Sequence, residues 1–219
     1  MISHPFILLF YALSGFINMA LGIFHKKTIE KNYFINNSHS AGSGCALIDD
    51  QSGETALKYG SKTFSHSGCG TAAVYNALLI LGTPVPIADI IRHFEHYGAS
   101  FFAAFGTAPQ SADKYFKKLG LQTKKTADKR RFRDLAENSD IIIFTIMNNG
   151  RKIRRMLHTM CIEHNDGHFI AHNSHGRREQ YASFDDMMAN LGDGNNKATG
   201  IYMIGLNKSG AVGGACPKA

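Results

Sequence analysis

Apolar residues run without a charge from Pro5 to Phe24 (PFILLFYALSGFINMALGIF), with only Ser14 and Asn18 clearly polar. As a helix this stretch would span about 30 Å, the thickness of a bilayer's hydrocarbon. Residues 1–24 therefore read as an N-terminal transmembrane helix or signal anchor. Lys or Arg is missing ahead of the run, and the run ends in Ile23-Phe24 rather than in small residues, which argues against a cleaved signal peptide. Lys26, Lys27 and Lys31 follow it. By the positive-inside rule they put the N-terminus outside and the bulk of the chain in the cytoplasm, membrane-anchored through Pro5 to Phe24. The alternatives are a signal peptide on a secreted protein and a buried core helix.

Residues 25–58 are polar, carry NNSHSAGSG and lack sustained periodicity, so they read as a linker or pro-segment. The compact domain is expected over 59–207, with 208–219 a flexible tail. Within it, Cys69 to Leu81 is apolar all round and stops at Gly82, a buried helix. Ile87 to Tyr97 is a second helix behind Pro86, Ser111 to Leu119 a third with Ser111 as cap, and Asp128 to Glu137 a fourth. The period then changes. Ile141 to Met147 (IIIFTIM) is a β-branched run of buried-strand type. Leu157 to Glu163 and His168 to Asn173 flank the turn residues HNDG and read as a hairpin. A helix at Phe184 to Leu191 and a strand at Gly200 to Leu206 finish the domain. Helices first and strands later give an α+β fold, a helical lobe on an antiparallel sheet.

Composition narrows this little further. The 219 residues are 44% hydrophobic and 19% charged, which excludes whole-chain disorder, and four cysteines are too few for a disulfide scaffold. The net charge of +7 suits an anionic partner without choosing one.

Candidate chemistry centres on Cys69. It opens the longest helix of the domain between Gly68 and Gly70, where the positive end of the helix dipole and unpaired N–H groups favour a thiolate. The glycines leave room for a substrate backbone. A cysteine nucleophile needs a base, and His158 begins the first hairpin strand; the base needs an orienter, and Asn173 ends the second. A two-residue loop at Asn165-Asp166 pairs His158 with Asn173. A turn at Asp166-Gly167 pairs His158 with His175 and makes Asn173 a diagonal neighbour. In either register His158 shares a face with Met160, Ile162, Phe169 and Ala171, an apolar set expected to pack on the helical lobe. Cys161 faces the other way as packing.

The segments SGCGTAAVYNALLILG and LHTMCIEHNDGHFIAHNS resemble the cysteine helix and the His and Asp/Asn strands of papain-like cysteine peptidases that process double-glycine leader peptides. They are similar, more closely still, to small clostridial papain-like proteins. The resemblance runs from about Tyr59 to Leu206. It implies a papain-like peptidase fold, a peptide substrate cut next to small residues, Cys69 as nucleophile, His158 as base then acid, and Asn173 as orienter, with no cofactor or metal. One departure stands out. The family carries a Gln shortly before the cysteine as an oxyanion donor, whereas YGSKTFSHSG has none and Gln51 lies too far upstream. The Cys69 N–H supplies one donor, and Ser65, His66 or Ser67 is left to supply another. Two other readings stay open: a binding module of the same fold, and an acyl-transfer enzyme.

The remaining features change less. His164, His168, His172 and His175 lie near Cys161 and Glu163, but their spacing matches no standard zinc pattern. Two basic runs, Lys124 to Arg133 and Arg151 to Arg155, read as solvated faces or lipid contacts. Without aromatic interleaving or a binding motif, nucleic acid is not an expected partner. Gly42-Ser43-Gly44 and Gly213-Gly214 are candidate self-cleavage sites of small-residue type. The sequence does not set the oligomeric state.

Overall fold

The computed structural model describes residues 4–40, 46–148, 157–193 and 196–208. Gly42 to Gly44, Cys45, the run Arg151 to Arg155, Gly213-Gly214 and Cys216 lie outside the described residues.

The first element is one helix of 37 residues, α1 (His4–Ser40). It is held sideways. Ile7, Tyr11 and Ser14, then Ile29, Asn32 and Asn36, are buried at helical spacing along one stripe. Tyr11 donates to the Phe105 carbonyl (3.2 Å), Ser14 shares a hydrogen bond with Ser100 (2.6 Å), and Gln110 Nε2 donates to the Leu8 carbonyl (3.0 Å). The membrane span expected over Pro5 to Phe24 finds no support, since among the described residues no helix is long and apolar enough to cross a membrane. Residues 25–40 also depart from the linker reading by continuing the helix. Asn36, which opens the run NNSHSAGSG, and Asn32 use their side-chain amides to satisfy buried backbone. Asn36 donates to the Lys58 carbonyl (2.9 Å) and accepts from the Lys58 N–H (2.7 Å), while Asn32 donates to the Gly60 carbonyl (2.9 Å).

A small hairpin follows, β1 (Lys58–Tyr59) and β2 (Lys62–Thr63). Its turn at Gly60 has φ +58, and a Cβ there would lie 2.2 Å from the Phe102 carbonyl oxygen, so only glycine fits. Next come α2 (Phe64–Ser67), α3 (Cys69–Ile80), α4 (Ile87–Tyr97) and α5 (Pro109–Lys118). α3 is buried on nearly every side, as its apolar sequence requires. α5 starts two residues before Ser111, on Pro109 at its first turn, and the Ser111 hydroxyl donates back to the Ala108 carbonyl (2.5 Å).

The rest is β3 (Lys124–Thr126), α6 (Phe132–Glu137), β4 (Ile141–Asn148), β5 (Leu157–Asn165), β6 (His168–His172), β7 (Glu179–Tyr181), α7 (Phe184–Asn190), β8 (Gly192–Asp193) and β9 (Asn196–Leu206). The main sheet runs β3-β9-β4-β5-β6-β7, antiparallel throughout, with β8 paired to β9. An α+β fold with helices on an antiparallel sheet is thus observed. The β5–β6 hairpin turns on Asp166 and Gly167, both at positive φ, which sets Cys161 opposite His172.

Both faces of the sheet are apolar, and the helical lobe takes the one that was not expected. Ile141, Ile143, Cys161, Ile204 and Leu206 pack with α3 in one core. Met160, Ile162, Phe169 and Ala171 form a second core with Phe132 of α6 and Phe184 and Met187 of α7. Alternation fixed which residues are co-facial; it carried no information on which helices cover which face.

Among the described residues, half of the basic residues from Lys124 to Arg133 are in ion pairs. Lys125 bonds Asp113, Arg130 reaches Asp128 at 3.1 Å, and Arg133 bonds Asp185 and Glu137.

Candidate active site

The cysteine sits at a helix start with no side-chain cap. α2 ends at Ser67, Gly68 donates to the Phe64 carbonyl (2.7 Å) and accepts from Ala72 (2.8 Å), and α3 begins with Cys69. Gly68 and Gly70 are needed for packing here. A Cβ on Gly68 would lie 2.6 Å from the Phe64 ring, and one on Gly70 would lie 2.8 Å from the Thr107 Cβ. Thr107 joins a buried hydroxyl chain with Tyr59 (2.8 Å) and Thr71 (3.3 Å), which ties α3 to the loop before α5.

The packing of α3 on β5 puts the Cys69 thiol against the start of that strand. Burial pushes the thiol up, while the backbone N–H groups of Thr159, Gly70 and Cys69 itself pull it down; the net direction is up. The backbone N–H groups therefore act as expected, but desolvation outweighs them and disfavours the thiolate. Burial likewise holds His158 below the ordinary histidine range, opposed by its bond to Asn173. Among the described residues no hydrogen bond joins Cys69 to His158. Burial thus disfavours the charged form of each group.

His158 is oriented unambiguously. Its Nε2 lies 2.6 Å from the Asn173 carbonyl oxygen, which only accepts, so Nε2 carries the proton and Nδ1 keeps the lone pair. His175 stacks on the same ring with centroids 5.0 Å apart. That is the partner expected for an Asp166-Gly167 turn. Asn173 bonds through its main chain because it leaves the strand with φ +60, which turns its carbonyl toward His158. Asparagine tolerates this left-handed conformation better than most residues.

The Asn173 side chain is spent elsewhere, on a residue the sequence reading set aside. Gln51 sits in a short turn of 3-10 helix, Gln51–Gly53, capped by Asp50. Its N–H donates to Asn173 Oδ1 (3.1 Å), its Oε1 accepts from Asn173 Nδ2 (2.8 Å), and its Nε2 donates to the Ser65 carbonyl (3.3 Å). Gln51 thus bridges the strand end carrying Asn173 to the segment leading into Cys69. The only signal for it was its residue type, because the 17 residues between it and Cys69 hide the proximity.

Beside this bridge, Asp49 accepts from Nδ1 of buried His172 (2.7 Å). Of the three donors considered before Cys69, Ser65 bonds Thr63 (2.8 Å), His66 is exposed, and the Ser67 hydroxyl is buried without a partner among the described residues. The other histidines are dispersed: His164 bonds the Ser139 carbonyl (3.2 Å) and stacks on Phe169. Among the described residues no group of three or more His, Cys, Asp or Glu side chains is placed to hold a metal ion.

No protein-family profile matches the chain, and no curated protein matches it. Among solved structures it is similar to the peptidase domain of Streptococcus ComA, a bi-functional ABC transporter involved in a quorum sensing pathway. Identity is 17%, with a TM-score of 0.44, over 64% of this chain and 90% of that one. A likeness of that size is too slight to decide fold or activity, and the likeness to clostridial proteins gains nothing from it.

Proposed function

We propose that the chain is a papain-like cysteine peptidase in which Cys69 attacks a peptide carbonyl and His158 moves the proton. The observation that carries this reading is the tautomer of His158. With Nε2–H held on the Asn173 carbonyl, Nδ1 is the basic nitrogen, and the backbone N–H of the next residue on β5, Thr159, is among the groups that pull the Cys69 thiol down. The thiol proton passes to Nδ1 as the sulfur–carbon bond forms. The tetrahedral oxyanion is held by N–H groups at the start of α3. Nδ1–H then protonates the leaving amine, and water, giving its proton to Nδ1, resolves the thioester and restores Cys69. Asn173 is the positioning residue through its carbonyl, and Gln51 keeps it in place. Peptides cut next to small residues remain the expected substrates.

A second reading, a peptide-binding module of the same fold, draws on the raised thiol and on a Gln51 amide committed to Ser65 and Asn173. Incubating the full chain with a mixture of glycine- and alanine-containing peptides, with products read by mass, separates the two. Cleavage that vanishes in Cys69→Ala and falls about 10²–10⁴-fold in His158→Ala supports the peptidase. Cleavage surviving Cys69→Ala refutes it, and binding without cleavage in the wild type selects the module.

A further inference from the structure

Among the described residues, much of the outer face of α1 is left exposed. Phe6, Leu9 and Leu13 are 67%, 53% and 55% exposed, and Phe10 and Ile17 extend the same stripe at helical spacing. Phe101, from the loop beside α1, adds to the patch next to Phe10. The opposite stripe is occupied: Ile7, Tyr11 and Ser14 are buried, and Tyr11 and Ser14 bond the Phe105 carbonyl and Ser100. A helix fixed along one side to a folded domain has only its other side free to enter an apolar phase.

Charge chooses the phase. No acidic residue precedes Glu30, so the whole apolar half of α1 lacks negative charge. Lys26, Lys27 and Lys31 then follow, all exposed. Lys31 lies eighteen residues after Leu13, five turns of helix, and therefore continues the same stripe. An aromatic and aliphatic stripe that runs into Lys27 and Lys31 along one line matches a bilayer surface, acyl chains under the first half and anionic headgroups under the second. A second copy laid parallel along the helix would bring lysines against lysines, and one laid antiparallel along its length would set them over apolar residues.

We infer that α1 is an in-plane docking helix for an anionic lipid surface, lying on the bilayer rather than crossing it and holding the domain against it. Three substitutions on the free face, Phe6→Ser, Leu9→Ser and Leu13→Ser together, leave the buried stripe intact. Flotation of the full chain tests the inference, using vesicles of phosphatidylcholine alone and of an equal mixture with phosphatidylglycerol. The wild type is expected to float with the mixed vesicles and much less with phosphatidylcholine. The triple variant, with unchanged circular dichroism and melting temperature, is expected to stay at the bottom. Charge reversal of Lys26, Lys27 and Lys31 to Glu should abolish the preference for the mixed vesicles. Alkaline carbonate should strip the wild type from them. A wild type that does not float, a triple variant that floats equally well, or resistance to carbonate each overturns the inference. So does a wild-type dimer that the triple variant turns into a monomer without any change in flotation.

Discussion

Glu95 offers the sharpest test of how α1 is attached. It is fully buried on α4, and its Oε1 accepts from Asn32 Nδ2 of α1 and from the Gly60 N–H, both at 2.6 Å. Burial raises its pKa to about 7, and Glu30 adds to the rise; the two hydrogen bonds oppose it. The nearby charges are Glu30, Arg92 paired with Glu30 at 2.6 Å, and His96 and Lys26 beyond. A carboxyl whose pKa is higher folded than unfolded is protonated in the native state while already ionised in the unfolded chain. Its contribution is complete below the unfolded value near 4.5 and is lost as pH rises to about 7. At about 1.4 kcal/mol per pH unit the loss amounts to roughly 3 kcal/mol. Glu95→Gln keeps an oxygen for Asn32 and Gly60 but cannot ionise. Urea unfolding of both proteins at pH 5, 6, 7 and 8 isolates the effect, because opposing groups such as His93, pushed down to about 4 by burial, are common to both. The variant is expected to gain on the wild type steadily with pH, by about 3 kcal/mol at pH 8. Parallel pH profiles for the two proteins would refute the argument.

Asn173→Gly keeps the left-handed carbonyl that holds His158 and removes only the amide, so turnover should fall by about tenfold or less. Nitrogen NMR should still find the proton on His158 Nε2. A loss as large as that of His158→Ala, or a switched tautomer, would make the side chain the orienter. Gly70→Ala drives a Cβ to 2.8 Å from the Thr107 Cβ and should cost about 1–3 kcal/mol in a thermal melt. Gly53→Ala, with nothing within 4 Å, is the control and should stay within about 0.5 kcal/mol.

How much of this was legible beforehand depended on whether the deciding force was local. The period of apolar residues located α3, α4, β4 and the β5–β6 hairpin, because helix and strand repeats impose it residue by residue. The hairpin turn was narrowed to two registers, and the positive φ of both Asp166 and Gly167 selects the one that sets His158 beside His175. Hydropathy alone did not describe α1, because a sum over twenty residues cannot see that Ile7, Tyr11 and Ser14 are claimed by the domain. The polar second half reads as a linker because the buried backbone partners of Asn32 and Asn36 lie far along the chain.

Cys69, His158 and Asn173 were candidates by residue type, by local element and by order along the chain, and those properties belong to the sequence alone. What the sequence could not hold was the environment of each. Which face of the sheet meets α3 depended on how α6 and α7 closed the other face. The upward push on the thiol follows from desolvation by that packing, which outweighs the backbone N–H groups. The turn of the chain at Asn173 gave His158 a carbonyl instead of an amide, and Gln51 came into the site across a long loop. Periodicity and turn chemistry act between neighbours and can be read from them. Burial, tautomer and the meeting of distant residues are set by the whole packed chain.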